Sequence, residues 1–177
     1  RGLYYPVDFA SSGSSQIGGN VSTNAGGIKV IRYGLTRDWV AGLKVVTGTG
    51  ALLDCNAGLV KNATGYDFRH LMIGSEGTLG LLAEIDVQLT TAPEPQVVMV
   101  LGVPKVSHLL SILTTFNAHL NPSAFEFFSD VALEKVRAHR DLPAPLEQPE
   151  AFYVLVEFDS SANAAAEAAF VACLESG

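Results

Sequence analysis

The segment Gly18-Gly19-Asn20-Val21-Ser22-Thr23-Asn24-Ala25-Gly26-Gly27 packs four glycines, two asparagines and two hydroxyl residues into ten positions. Glycine lets the backbone turn freely and approach a ligand closely. Successive backbone amides then form a cradle for an anion, and Asn20, Ser22, Thr23 and Asn24 add side-chain donors. That chemistry suits a pyrophosphate without lysine or arginine, at roughly 1.5–3 kcal/mol for each hydrogen bond to a charged oxygen. A glycine-rich connector with no ligand has the same composition, so residue types alone leave both readings open. Two further segments carry the same texture. Asn62-Ala63-Thr64-Gly65-Tyr66-Asp67 is one; Gly74-Ser75-Glu76-Gly77-Thr78-Leu79-Gly80 is the other, with three glycines in seven residues directly before an apolar run. The second reads either as a close backbone passage or as a plain turn. Neither GxGxxG in a strand-turn-helix setting nor GxxxxGK[ST] is present, since Lys29 is not followed by Ser or Thr.

The elements that must position these segments divide by texture at Pro93-Glu94-Pro95, because paired prolines continue neither strand nor helix. Residues 1–92 and 93–177 are therefore read as two domains. In the first, Gly42–Val46 and Ala51–Cys55 form a hairpin around Thr47-Gly48-Thr49-Gly50. Asp67–Ile73 reads as a short helix with Asp67 as N-cap and Gly74 as its stop. Leu79–Leu89 reads as a strand with Glu84, Asp86 and Gln88 turned outward. In the second, Gln96–Val103, Ser123–Phe128 and Phe152–Phe158 read as strands, with Phe125 and Phe127 on one face. Val106, Leu109, Leu110, Leu113 and Phe116 fall at helical spacing. Ser129 caps a helix, Asp141–Glu150 is an exposed loop, and an alanine-rich helix follows from about Ala162. This alternation predicts a sheet with helices on one face, and a further strand is expected after the last helix.

Composition narrows the function. The 177 residues are 48% hydrophobic and 16% charged, enough to bury a core. A net charge of −7 argues against nucleic-acid partners and anionic membrane surfaces. No apolar run reaches transmembrane length. The two cysteines have no metal or redox spacing and suit a reducing compartment. His70, His108, His119 and His139 show no HxxxH or HxH pattern, so no metal site is assigned. Nothing marks a serine as activated, and the absence of a GxGxxG unit disfavours a nicotinamide enzyme.

In order and spacing, these segments resemble the FAD-linked oxidase family of the vanillyl-alcohol oxidase type. The resemblance rests on Ile17 through Gly27, Arg32-Tyr33-Gly34, Asn62 through Asp67 and Gly74 through Gly80, with Tyr4-Tyr5-Pro6 ahead and Ser123-Ala124-Phe125-Glu126-Phe127 behind. It covers nearly the whole chain. Within the family the likeness is nearest to the D-2-hydroxyglutarate and D-lactate dehydrogenases and the glycolate oxidase flavin subunit. It implies an α+β fold: the second half of an FAD-binding domain at 1–92, with a mixed or antiparallel sheet, then the start of a ferredoxin-like substrate cap at 93–177.

By the same resemblance, FAD is the cofactor. Gly18, Gly19, Asn20, Ser22, Thr23, Asn24, Gly26 and Gly27 are expected along its pyrophosphate and ring region. Glu76, Gly77, Gly80 and the backbone of Leu81 and Leu82 are expected on its ribityl, ribose and adenine side, with Tyr33 and Gly34 as further candidates. The implied reaction takes a D-2-hydroxy acid to its 2-oxo acid and passes electrons to an acceptor. A homodimer is open to it, and the compartment is the cytoplasm, or the mitochondrial matrix in a eukaryote. The family's upstream flavin loop and its downstream substrate and metal residues have no counterpart here. The sequence, which opens at Arg1 in what reads as a loop, is accordingly expected to hold about half the cofactor site and no catalytic residue. A flavin-free module of the same fold, and a same-fold oxidase of another alcohol, are the alternatives.

Overall fold

A computed structural model describes residues 2–56 and 58–175. The chain forms two compact units, Arg1–Ala92 and Pro93–Gly177. In the first unit, β1 (Leu3–Tyr4) pairs with β5 (Thr90–Thr91), while β2 (Val40–Thr47) is the centre of an antiparallel sheet between β3 (Leu52–Cys55) and β4 (Gly80–Val87). The β2–β3 hairpin closes through Gly50 at φ +81° and a Thr47 amide bonded to the Ala51 carbonyl at 2.9 Å. Three short helices, α1 (Ile17–Ser22), α2 (Val30–Tyr33) and α3 (Arg69–Met72), lie between the strands in sequence. The pleat puts Leu43, Val45 and Cys55 on one side, where they bury with Val21 of α1 and with Met72 and Ile73. Lys44, Asp54 and Glu84 line up across the three strands, and Lys44 pairs with Glu84 at 2.7 Å. Exposed pairs of this kind contribute little to stability.

The second unit alternates β6 (Gln96–Val103), α4 (Leu109–His119), β7 (Ala124–Ser129), α5 (Asp130–Arg137), β8 (Phe152–Asp159) and α6 (Asn163–Glu175). Its sheet has the order β6-β8-β7, all antiparallel. Val154, Val156 and Phe158 alternate inward from β8 and bury with Leu109, Ile112 and Phe116 of α4 and with Ala166 and Ala169 of α6. Small alanines on α6 suit a close helix contact, since they bury no side-chain entropy.

The helical stripe differs from the one read off the sequence. Residues 109, 112 and 116 face the core, whereas Leu110 is 75% exposed and Val106 precedes the helix. At 100° per residue Leu110 falls off the stripe that Ile112 completes. Phe125 packs on the core, but Phe127, on the same pleat side, is 57% exposed. The Ser129 hydroxyl accepts the Ala132 amide at 3.2 Å, an N-cap at the start of α5. Ser129→Ala is expected to cost about 1 kcal/mol and to speed amide exchange in the first turn of α5, with Ser129→Asp restoring both.

Candidate functional site

The glycine-rich segment is partly helical, so part of the amide cradle expected from composition is taken up within the chain. The Asn20 amide bonds to the Gln16 carbonyl at 3.0 Å, that of Thr23 to Gly19 at 2.9 Å and that of Ala25 to Asn20 at 2.8 Å. These amides are consumed by the fold. Three of the four polar side chains make bonds of their own as well, two as donors and one as acceptor. The Thr23 hydroxyl turns back onto the Gly19 carbonyl at 2.9 Å, Asn20 donates to Ser15 at 3.3 Å, and the Asn24 carboxamide accepts the Arg37 amide at 3.0 Å.

The second segment docks on the end of this helix. The last carbonyls of a helix have no partner within it. Here the Val21 carbonyl accepts the Gly74 amide at 3.1 Å and the Ser22 carbonyl accepts the Glu76 amide at 2.9 Å. To make both bonds the chain turns through left-handed backbone at Gly74 (φ +82°), Glu76 (φ +51°) and Gly77 (φ +78°). It then enters β4 at Gly80, where an added Cβ would lie 2.6 Å from Val45 Cγ1 and 2.8 Å from the Val46 carbonyl oxygen.

This docking opens a cleft of about 310 Å³ lined by Gly18, Gly19, Ser22, Gly77, Gly80, Leu81 and Leu82. Two stretches nearly sixty residues apart meet there. At Gly18 and Gly19 an added Cβ would meet nothing of the protein within 4 Å, and neither residue has positive φ.

The other sequence-selected residues serve the fold around the cleft. A Cβ on Gly26 would come within 2.7 Å of Leu35, and one on Gly27 within 1.7 Å of the Asp8 carbonyl oxygen. Gly34 has φ +74°, and its Cβ would lie 2.3 Å from an Asp38 carboxylate oxygen. The Tyr33 carbonyl accepts the Trp39 indole N–H at 2.7 Å, and the two rings meet edge to face. Asn24 is itself left-handed at φ +49° and Glu76 is exposed.

A second, polar cleft of about 310 Å³ runs from Asp54 to Arg69. Sequence reading did not single out Arg69, although its spacing from Asp67 was a usable signal. Its guanidinium donates to the Val40 and Ala41 carbonyls at 2.9 and 2.8 Å and pairs with Asp67 at 2.6 Å. Asp67 also accepts the Arg69 amide at 3.1 Å, but it stands one residue ahead of the N-cap expected of it: α3 begins at Arg69 with Phe68 as N-cap and no side-chain cap bond, because the Asp67 carboxylate is engaged by the Arg69 guanidinium. The Arg69 hydrogen bonds hold the Asp67 carboxyl below its usual range. A depressed carboxylate contributes stability above its unfolded value of about 3.9, and that contribution is lost as pH falls through the folded value. Arg69→Ala is expected to cost about 1–2 kcal/mol and to flatten the acid side of a melting-temperature profile between neutral and pH 3. An unchanged profile would show that the latch carries no pH dependence.

The antiparallel sheet with short helices between its strands makes the first unit an α+β fold, with the glycine-lined cleft beside β4. Comparison with known proteins specifies it. The family described as FAD binding domain matches residues 1–56, and that described as FAD linked oxidases, C-terminal domain, matches residues 92–176. The chain belongs to the FAD-linked oxidases, whose cofactor is FAD.

It is 56% identical to a D-2-hydroxyglutarate dehydrogenase of Stutzerimonas stutzeri, with all of this chain aligned to 39% of that protein. It is 43% identical to the mitochondrial D-2-hydroxyglutarate dehydrogenase of Bos taurus over 89% of the chain and 29% of that protein. A D-lactate dehydrogenase of Anaerostipes hadrus is 34% identical over 92% of the chain and 35% of its own length. The chain thus spans less than half the length of these relatives. A solved alkyldihydroxyacetonephosphate synthase shares the fold, with a TM-score of 0.70 at 19% identity over 99% of this chain and 35% of that one. Among the described residues no helix is long and apolar enough to cross a membrane, and no cluster of His, Cys, Asp and Glu could hold a metal ion.

Proposed function

We propose that this chain carries part of the FAD site of a D-2-hydroxy-acid dehydrogenase, with D-2-hydroxyglutarate as the first substrate to test. In this reading residues 1–92 are the C-terminal part of the FAD-binding domain and 93–177 the N-terminal part of the substrate cap. The observation that carries it is the pair Gly18 and Gly19. Both weaken a helix, and neither is required by φ or by a protein neighbour. Room left open at a cleft wall is room for something else, and that fits a cofactor backbone.

Gly18 and Gly19 would let phosphate oxygens approach the main chain, and the Ser22 hydroxyl would donate to one of them. Gly77 and Gly80 would keep the opposite wall low, while Leu81 and Leu82 would exclude water. Asn20, Thr23, Asn24, Gly26, Gly27, Tyr33, Gly34 and Glu76 would act by holding this wall in shape. FAD supplies the hydride acceptor when a D-2-hydroxy acid is oxidised to its 2-oxo acid. No residue of this chain is assigned the substrate's hydroxyl proton. An electron acceptor, a dimeric assembly and a cytoplasmic or mitochondrial-matrix setting belong to the same proposal; relatives from Bos taurus and Arabidopsis thaliana are mitochondrial.

The test is the anaerobic flavin spectrum of the full-length gene product, recorded as D-2-hydroxyglutarate, D-lactate, glycolate and the L-isomers are added in turn. Bleaching by a D-acid is expected. A colourless protein that releases no flavin on denaturation would overturn the proposal.

A further inference from the structure

The cleft wall that carries Gly77 and Gly80 follows a segment with few fastenings of its own. Residues 58–68 are all exposed. The helix α3 after them is a single turn with no side-chain N-cap bond, too short to hold by itself. Among the described residues, Arg69 is the only side chain between Asp67 and Gly80 that hydrogen-bonds to the sheet. One guanidinium nitrogen, Nη1, donates to the Val40 and Ala41 carbonyls at 2.9 and 2.8 Å, where the β2–β4 register slips between Val40 and Gly42. Such a slip disturbs the ladder locally. The other two nitrogens, Nε and Nη2, fork onto the Asp67 carboxylate at 3.0 and 2.6 Å. A planar guanidinium serves both sets of acceptors at once, and the side chain is only 19% exposed.

We infer that Arg69 is a positioning residue for the cofactor cleft: by pinning the start of α3 to β2, it sets where the Gly74–Gly77 turn meets the end of α1. The inference rests on the flavin reading proposed above. The path from Arg69 to the cleft is short and continuous. The Arg69 carbonyl accepts the Ile73 amide at 2.8 Å, and Met72 and Ile73 bury in the core that Val21 of α1 shares. The Gly74 amide then bonds to the Val21 carbonyl and the Glu76 amide to the Ser22 carbonyl. Ser22 and Gly77 both line the cleft, whereas Arg69 does not. Its effect on a ligand there passes through these bonds. A binding wall is as well placed as the groups that support it.

The test uses the full-length gene product and three variants: Arg69→Ala, Arg69→Lys, and Leu53→Ala, which removes a half-buried side chain from the same core on β3. Amide exchange at Gly74 and Glu76 is followed on flavin-free protein, and the dissociation constant for FAD is measured beside each melting temperature. In Arg69→Ala both amides are expected to exchange about tenfold faster or more, and FAD to bind about tenfold more weakly. Arg69→Lys should recover part of both, since an ammonium reaches a carbonyl but cannot fork Asp67 as well. Leu53→Ala should lower the melting temperature and leave both near the parent's values. Unchanged Gly74 and Glu76 exchange in Arg69→Ala would overturn the inference. So would a Leu53→Ala protein that loosens FAD as much, because Arg69 would then act only through overall stability. Faster exchange with full FAD affinity would instead sink the flavin reading of this wall, and the inference would fall with it.

Discussion

Gly19→Ala in the full-length protein is expected to weaken flavin binding about tenfold or more, while leaving the flavin-free protein as stable as before or slightly more so. The two effects have separate origins. Alanine in place of glycine favours a helix by up to about 1 kcal/mol, and in α1 the added methyl meets no protein atom within 4 Å. The same methyl projects at the wall of the cleft shared by Gly18, Ser22 and Gly77. If phosphate or ribose passes there, about 1–3 kcal/mol of overpacking opposes binding, and 1.4 kcal/mol is already tenfold in affinity. Gly18→Ala should behave alike. Flavin content after dialysis, the dissociation constant for FAD, and the melting temperature of the stripped protein measure the two effects apart. A variant that loses flavin and stability together would show these glycines to be structural. One that keeps full affinity would move the cofactor off this wall.

That split within one motif explains what could be read before the fold was known. The family order of the segments, the β2–β3 hairpin, the Ser129 cap and the strands of the second unit were all legible. Each rests on a local signal: a turn between apolar runs, a hydroxyl before a helix, an alternation. The roles of the glycines were not legible, because one residue type answers three different needs. Gly77 serves a left-handed turn, Gly26 and Gly27 serve close packing, and Gly18 and Gly19 serve neither. α1 was also hidden. A segment with two adjacent glycines has weak helix propensity, and this one is held by tertiary bonds from Gly74 and Glu76 to its final carbonyls. The side-chain donors Asn20, Thr23 and Asn24 looked like ligands by composition. In the structure Asn20 donates to Ser15, Thr23 donates to the Gly19 carbonyl and the Asn24 carboxamide oxygen accepts the Arg37 amide, so all three also hold the loop. Ile112 was missed for a simpler reason: Leu110 occupied the same stretch of helix, and a rotation of one residue decides which of them is buried.

Gly27→Ala should have the opposite profile, damaging the fold whether or not flavin is present. Its Cβ would sit 1.7 Å from the Asp8 carbonyl oxygen, 2.6 Å from the Asp8 carbonyl carbon and 2.9 Å from Phe9 Cβ. Two of these atoms are main chain, so no rotamer change relieves the overlap; the 8–9 strand of backbone must lift off residue 27. Overpacking against a yielding side chain costs about 1–3 kcal/mol, and a backbone clash belongs at or beyond the top of that range. About 3 kcal/mol is a large part of a domain's total stability of about 5–15 kcal/mol. The variant is therefore expected to express poorly, melt many degrees lower and lose its flavin only as a consequence of unfolding. Gly13→Ala is the control, since a Cβ there meets nothing within 4 Å. The comparison is decisive when made on stripped protein. If Gly27→Ala melts normally without flavin and fails only to bind it, Gly27 lines the cofactor rather than the 8–9 segment. The division into ligand-facing and fold-facing glycines would then be drawn in the wrong place.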